Sequence, residues 1–110
     1  MVSKRARPAA RSAVAFAALA DPTRQAIVRL LIDGERSVGE LAGRLPVSRP
    51  AVSKHLRLLA GAGLVNARAE GTRNVFSIEP AALAALRDEL DLMWERALAR
   101  YALVANNRRR

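Results

Sequence analysis

Three helix starts crowd into the stretch from Asp21 to Pro50, and they constrain the fold more than any other feature of the chain. In Asp21-Pro22, a carboxylate able to accept the free N–H groups of a first turn precedes a proline suited to the first helical position. Ser37-Val38-Gly39-Glu40 has the capping-box form, in which hydroxyl and carboxylate each satisfy the other residue's backbone N–H. Ser48 followed by Pro50 is the third start. The stops match. Gly34 closes the first helix, Pro46 the second, and Gly61 and Gly63 permit the left-handed turn that ends the third. Helices are predicted from Pro22 to about Asp33, from Ser37 to Arg44 and from Ser48 to Ala60, with Leu45-Pro46-Val47-Ser48 as the turn between the last two.

Each predicted helix has one apolar face: Ala26, Ile27, Leu30 and Leu31, then Val38, Leu41, Ala42 and Leu45, then Val52, Leu56 and Leu59. Ahead of them, Arg11 to Leu19 is a short Ala-rich helix with Val14, Phe16 and Leu19 as its bulky positions. Behind them, Val65, Ala67 and Ala69 alternate with polar residues, as do Phe76 and Ile78, which predicts two strands joined at a Glu70-Gly71-Thr72-Arg73 tip. From Pro80 a long helix runs to about Val104. Its Leu83, Leu86, Leu90, Met93, Ala97, Tyr101 and Val104 recur nearly as a heptad seam, and Leu92, Trp94, Leu98 and Leu103 lie outside that seam. A terminal helix of a small domain has one body to pack on, so two apolar faces imply a second copy of the chain. Val14, Phe16, Leu86, Leu90, Met93, Trp94, Ala97 and Tyr101 are the candidate interface residues.

The expected fold is mainly α with a small β-hairpin: four helices, two strands and a fifth helix, the order of a winged helix-turn-helix. At 110 residues there is room for one compact domain. Hydrophobic residues make up 51% and aromatics only 4%, so its core rests on Leu, Val, Ile and Ala. The expected division is a flexible basic arm over 1–10, a DNA-binding and dimerisation domain over 11–104 and a basic tail over 105–110.

Charge narrows the partners. The chain carries 19 Lys+Arg against 10 Asp+Glu, a net +9, which favours a polyanion. Lys4, Arg5, Arg7 and Arg11 hold +4 at the front and Arg108 to Arg110 hold +3 at the end, leaving only +2 between them. Within that body, Arg49 to Arg73 is a basic stripe of net +4. On the helix from Ser48, the residues opposite the apolar face are Arg49, Pro50, Ser53, Lys54 and Arg57. Arg49 in the first turn can meet a guanine O6/N7 edge with two parallel hydrogen bonds, Pro50 can touch a thymine methyl, Ser53 allows close approach, and Lys54 offers a mobile cation. These four are the candidate base readers. Ser48, His55, Arg57 and the tip residues Thr72 and Arg73 are candidate backbone contacts. His55 suits either a phosphate hydrogen bond or a packing role between helices. Lys4, Arg5 and Arg7 serve either solubility or phosphate contact.

Other classes lack their residues. The lack of cysteine removes thiol chemistry, a single histidine is too few for a zinc site from this chain alone, and no metal or cofactor is expected. Nucleophile, tuned base and orienting group nowhere come together, so no enzyme is expected. No apolar run suits a membrane span and no signal peptide is evident, so a cytoplasmic location is expected. A non-specific nucleic-acid module would want aromatic platforms, and only Phe76 lies near the stripe. A protein-interaction adaptor on the same scaffold would not need the outward charges.

Three stretches, "ALADPTRQAIVRLL", "VGELAGRLPVSRPAVSKHLRLLAGAGLV" and "AEGTRNVFSI", closely resemble the ArsR/SmtB family of bacterial winged-helix repressors over roughly Phe16 to Val104. The resemblance implies a homodimer joined through its first and last helices, bound to double-stranded DNA at an imperfect palindrome. It also implies base reading by Arg49, Pro50, Ser53 and Lys54 and a wing over Glu70 to Asn74. Metal-sensing members carry cysteines where Ala42 and Arg44 stand here, and members with a site on the last helix use Asp and His there, where this chain has Asp88, Glu89, Asp91 and Glu95 but no histidine. The chain is therefore similar to the metal-independent, autorepressor branch. A small molecule, such as an apolar effector between the two last helices, a partner protein or expression level would set its occupancy.

Overall fold

The computed structural model describes residues 8–108, with side chains from 11 to 107. The elements are α1 (Pro8–Ala18), α2 (Pro22–Ile32), β1 (Arg36–Ser37), α3 (Val38–Ala42), α4 (Arg49–Gly61), β2 (Val65–Glu70), β3 (Arg73–Ile78) and α5 (Pro80–Arg108). Helix thus begins inside the segment expected as the arm and continues into the expected tail. Lys4, Arg5 and Arg7 lie outside the described residues.

Local chemistry sets the three central helices. The Asp21 carboxylate accepts the Arg24 N–H at 3.0 Å, with Pro22 in the first turn of α2. Both halves of the capping box form: Ser37 Oγ accepts Glu40 N–H at 3.2 Å, and Glu40 Oε1 accepts Ser37 N–H at 3.0 Å. Ser48 Oγ accepts Ala51 N–H at 3.3 Å at the start of α4. After α4, Gly63 takes a φ of +78°, a conformation that costs a residue with a Cβ. Gly61, also expected in this turn, is instead the last residue of the helix.

The main difference from the expected architecture is a third strand. The short β1 pairs with β3, Arg36 opposite Phe76 and Ser37 opposite Val75, so the hairpin becomes a three-stranded antiparallel sheet of order β1-β3-β2. This ties the start of α3 to the wing. β2 and β3 pair from Val65 opposite Ile78 to Glu70 opposite Arg73, leaving Gly71-Thr72 as a two-residue loop. Gly71 has a φ of +63°; glycine at the first loop position is what a type II′ hairpin takes, so no Asn-Gly is required. The alternation predicted for β2 fails beyond its first residue. Val65 is buried, whereas Ala67 and Ala69 are exposed because no element among the described residues covers the outer half of the hairpin. On β3, Val75 is the buried residue, and Phe76 and Ile78 pack part-buried against the core.

Ile27, Leu41, Val52, Leu56, Leu59 and Leu64 are completely buried and hold α2, α3 and α4 together. Burying each such aliphatic side chain stabilises the fold by roughly 1.5–3 kcal/mol. Leu86 corrects one expectation: only 6% exposed, it belongs to the protomer's own core with Ala15 and Ala18 of α1. Phe16 likewise packs partly against this core. Beyond Leu86, α5 leaves the body. Leu90, Met93, Trp94 and Tyr101 are exposed, as is Val14 on α1, and Ala97 is exposed with them. Among the described residues no helix is long and apolar enough to cross a membrane.

Candidate nucleic-acid interface

Helix α4 is held from one side only. Val52, Leu56 and Leu59 fix its inner face, which turns Arg49, Pro50, Lys54 and Arg57 outward as exposed residues, with Ser53 half-buried among them. None of the ion pairs among the described residues involves Arg49, Lys54 or Arg57. The front of α4 is thus an open face of unneutralised cations beside a capped helix N-terminus, where partial positive charge already favours an anion.

The Arg49 side chain has a defined seat. A Cβ placed on Gly39 would lie 2.9 Å from Arg49 Nη2 and 3.3 Å from its Cζ, so the guanidinium rests against the bare first turn of α3.

The wing is arranged differently. Arg73 donates to Glu70 at 3.2 Å and to Glu40 at 3.4 Å. Arg68 donates to Glu70 at 3.0 Å and to Glu35 at 3.0 and 3.1 Å. Both arginines are therefore engaged with carboxylates, and the exposed loop between them, Gly71-Thr72, carries no charge. The carboxyls respond. Glu70 is held below the ordinary carboxylate value by its hydrogen bonds from Arg73 and then Arg68. Glu40 is lowered first by the Ser37 backbone N–H and then by the Ser37 hydroxyl, with the Arg73 charge adding to both.

His55 faces inward. Its Nδ1 lies 3.2 Å from Arg24 Nη1 and 3.9 Å from the Asp21 carboxylate. Arg24 in turn donates through Nε to the Ala18 carbonyl at 2.6 Å. Of the two uses open to His55, this geometry forms the packing one, joining α4 to the start of α2. The guanidinium can only donate, so in a hydrogen bond between the two, Nδ1 is the acceptor.

Sequence reasoning missed Gly39, Glu35 and the second partner of Glu40. The capping box signalled Glu40 but not its reach to Arg73, because the two are 33 residues apart and meet only through the β1–β3 pairing. Among the described residues no group of acidic or histidine side chains could hold a metal ion. A cleft of about 560 Å³ lies between α1, the end of α4 and α5, lined by residues including Ser12, Ala15, Ala62, Leu86 and Leu92.

A capped helix with a cationic front, presented by a helix-turn-helix and flanked by a β-wing, defines a winged-helix DNA-binding protein. A helix-turn-helix domain family model matches residues 19–68. The HTH-type transcriptional regulator Rv2034 of Mycobacterium tuberculosis is 58% identical over 88 residues, covering 80% of this chain and 82% of that protein. The structure of an ArsR-like transcriptional regulator from Rhodococcus sp. RHA1 superposes with a TM-score of 0.73 at 37% identity, covering 88% of this chain and 94% of that one. A homodimeric winged helix-turn-helix DNA-binding domain from Mycobacterium bovis, described as a possible ArsR-family regulator, gives 0.66 at 31% identity, covering 86% and 92%. The chain belongs to the ArsR/SmtB family of winged helix-turn-helix transcriptional regulators. It is a DNA-binding regulator, not an enzyme.

Proposed function

We propose that the chain is a homodimeric, metal-independent repressor, in autorepressor style, that occupies an imperfect palindrome in a promoter. The observation that carries this reading is the open face of α4, where Arg49, Lys54 and Arg57 stand around Ser53 without ion-pair partners among the described residues. Base reading falls to Arg49, Pro50, Ser53 and Lys54. Ser48, Arg57, Thr72 and Arg73 take backbone contacts, and Lys4, Arg5 and Arg7 reach phosphates from the N-terminal arm. The exposed apolar residues of α5, together with Val14, join two copies, as the homodimeric M. bovis relative supports. Two α4 helices then enter successive major grooves about 34 Å apart. Ala42 and Arg44, standing where metal-sensing members carry cysteines, favour metal independence. The cleft beside α1 and α5 is the place for a small apolar effector that would tune occupancy.

The test is fluorescence anisotropy on the chain's own upstream DNA and on a scrambled duplex, across a salt series and with and without chelator. A specific repressor binds the first about 10³-fold more tightly, saturates at two chains per duplex and ignores the chelator. A reporter driven by the same DNA falls when the chain is expressed. Equal affinities that collapse together with salt leave only charge binding. A reporter that rises makes the chain an activator.

A further inference from the structure

Gly39 is a glycine without a backbone reason. It sits in the first turn of α3, between the two members of the capping box, and among the glycines with left-handed φ are Gly34, Gly63 and Gly71 but not Gly39. Glycine is among the poorest residues inside a helix, because the unfolded chain has so much freedom to lose there. Gly43, in the same segment, shows the contrast: its Cβ would meet only the helix's own carbonyls at 3.4 and 3.6 Å. At Gly39 the nearest atoms to a Cβ all belong to the Arg49 guanidinium, at 2.9, 3.3 and 3.8 Å.

We propose that Gly39 is a positioning residue for DNA reading: its missing side chain makes the seat on which the Arg49 guanidinium rests, and so sets the angle at which that guanidinium meets a guanine edge. This rests on the reading of Arg49 as a base contact. The physical logic is preorganisation. Arginine's planar fork delivers two parallel hydrogen bonds only in register, and a side chain already held in place loses less rotamer freedom on binding. A methyl group at position 39 pushes against the far end of a flexible side chain, not against backbone. The fold therefore survives the substitution and the guanidinium moves. Stability and discrimination should then change in opposite directions, a pairing that a merely structural glycine does not produce.

The experiment uses the full chain and a duplex selected from random DNA by the wild type, paired with its scrambled counterpart. Gly39→Ala, Gly43→Ala, Arg49→Ala and the Gly39→Ala/Arg49→Ala double variant are compared by anisotropy and thermal melting. Arg49→Ala lowers the cognate-to-scrambled ratio by about 5- to 150-fold. Gly39→Ala lowers it by roughly 3- to 10-fold while melting at or above the wild-type temperature. Gly43→Ala leaves the ratio unchanged, and the double variant behaves as Arg49→Ala alone. If Arg49→Ala loses discrimination and Gly39→Ala keeps it, the seat is refuted and the Arg49 assignment stands. If Gly39→Ala weakens both duplexes equally, or still acts in the Arg49→Ala background, the glycine serves the approach of α3 to DNA and the proposal fails. An Arg49→Ala chain with an unchanged ratio overturns both readings.

Discussion

At the residue scale the protein keeps two kinds of arginine. Arg49 and Arg57 stand open on α4, while Arg68 and Arg73 are held by Glu35, Glu40 and Glu70 on the wing. The wing pairs are half-exposed, so salt and a competing phosphate open them readily. Arg73→Ala should therefore weaken cognate and scrambled DNA alike and reduce the slope of log affinity against log salt by about 1, read from the same anisotropy series. Glu40→Gln should do the reverse and tighten both duplexes, since it releases Arg73 while glutamine still closes the capping box. The same variant has a signature in acid. Hydrogen bonds from Ser37 hold the Glu40 carboxyl below its unfolded value, so its ionised form stabilises the native state above that unfolded value, near 4.3. This contribution fades as pH falls through the lower, folded value. Thermal melts should show wild type above Glu40→Gln at pH 7, with the gap closing as pH falls from the unfolded value through the lower folded one. Parallel curves across that range would sink the assignment.

At the scale of elements, α4 depends on its first turn. Ser48 Oγ supplies the partner of the Ala51 N–H, and Pro50 has no N–H to satisfy. Ser48→Ala should destabilise the chain by about 1 kcal/mol in urea unfolding. It should also speed amide exchange at Ala51 and lower specific affinity by fraying the turn that carries Arg49. Unchanged exchange at Ala51 would show that the cap contributes nothing. Such ends were legible in the sequence because caps are local chemistry: Asp21, Ser37, Glu40 and Ser48 each act within three residues. The two-residue β1 was not legible, since its partner is Val75-Phe76 and no local pattern marks it. With β1 unseen, the contact of Arg73 with Glu40 was hidden, and so was the inward turn of His55 toward Arg24, which depends on how α2 meets α4. Periodicity has a related blind spot. It put Leu86 on an apolar seam of α5 but could not say that α1 of the same chain covers it while Leu90 and Met93, further along, stay bare.

At the scale of the whole molecule, the exposed apolar surface is the feature a monomer does not explain. Eight large hydrophobic residues from Leu90 to Val104 are exposed on α5, with Trp94 at 63% and Tyr101 at 74%. They lie on the part of the helix beyond Leu86, in a protomer that measures 68 Å along its longest axis. Left in water, such a patch drives aggregation; covered by its symmetry mate, it gives a self-complementary interface. Charge does not oppose that pairing, because the body between the basic termini is nearly neutral. Light scattering after size exclusion should give twice the 11.9 kDa chain mass for wild type. It should give a single chain for Leu90→Glu/Met93→Glu, whose four carboxylates would face one another in a dimer. Leu86 is left intact in that variant, so the protomer core and the helical circular dichroism are retained. On the proposed palindromic mode, a lone protomer would keep the proposed base contacts of one half-site but lose the second binding event, which tethering makes effectively intramolecular. Its affinity for the full palindrome should fall by at least about 10²-fold, to the level of a single half-site, while its preference for that half-site over scrambled DNA survives. A double variant that still elutes as a dimer would place the interface elsewhere on the molecule. One that elutes as a monomer yet binds the palindrome as tightly as wild type would separate dimerisation from DNA recognition.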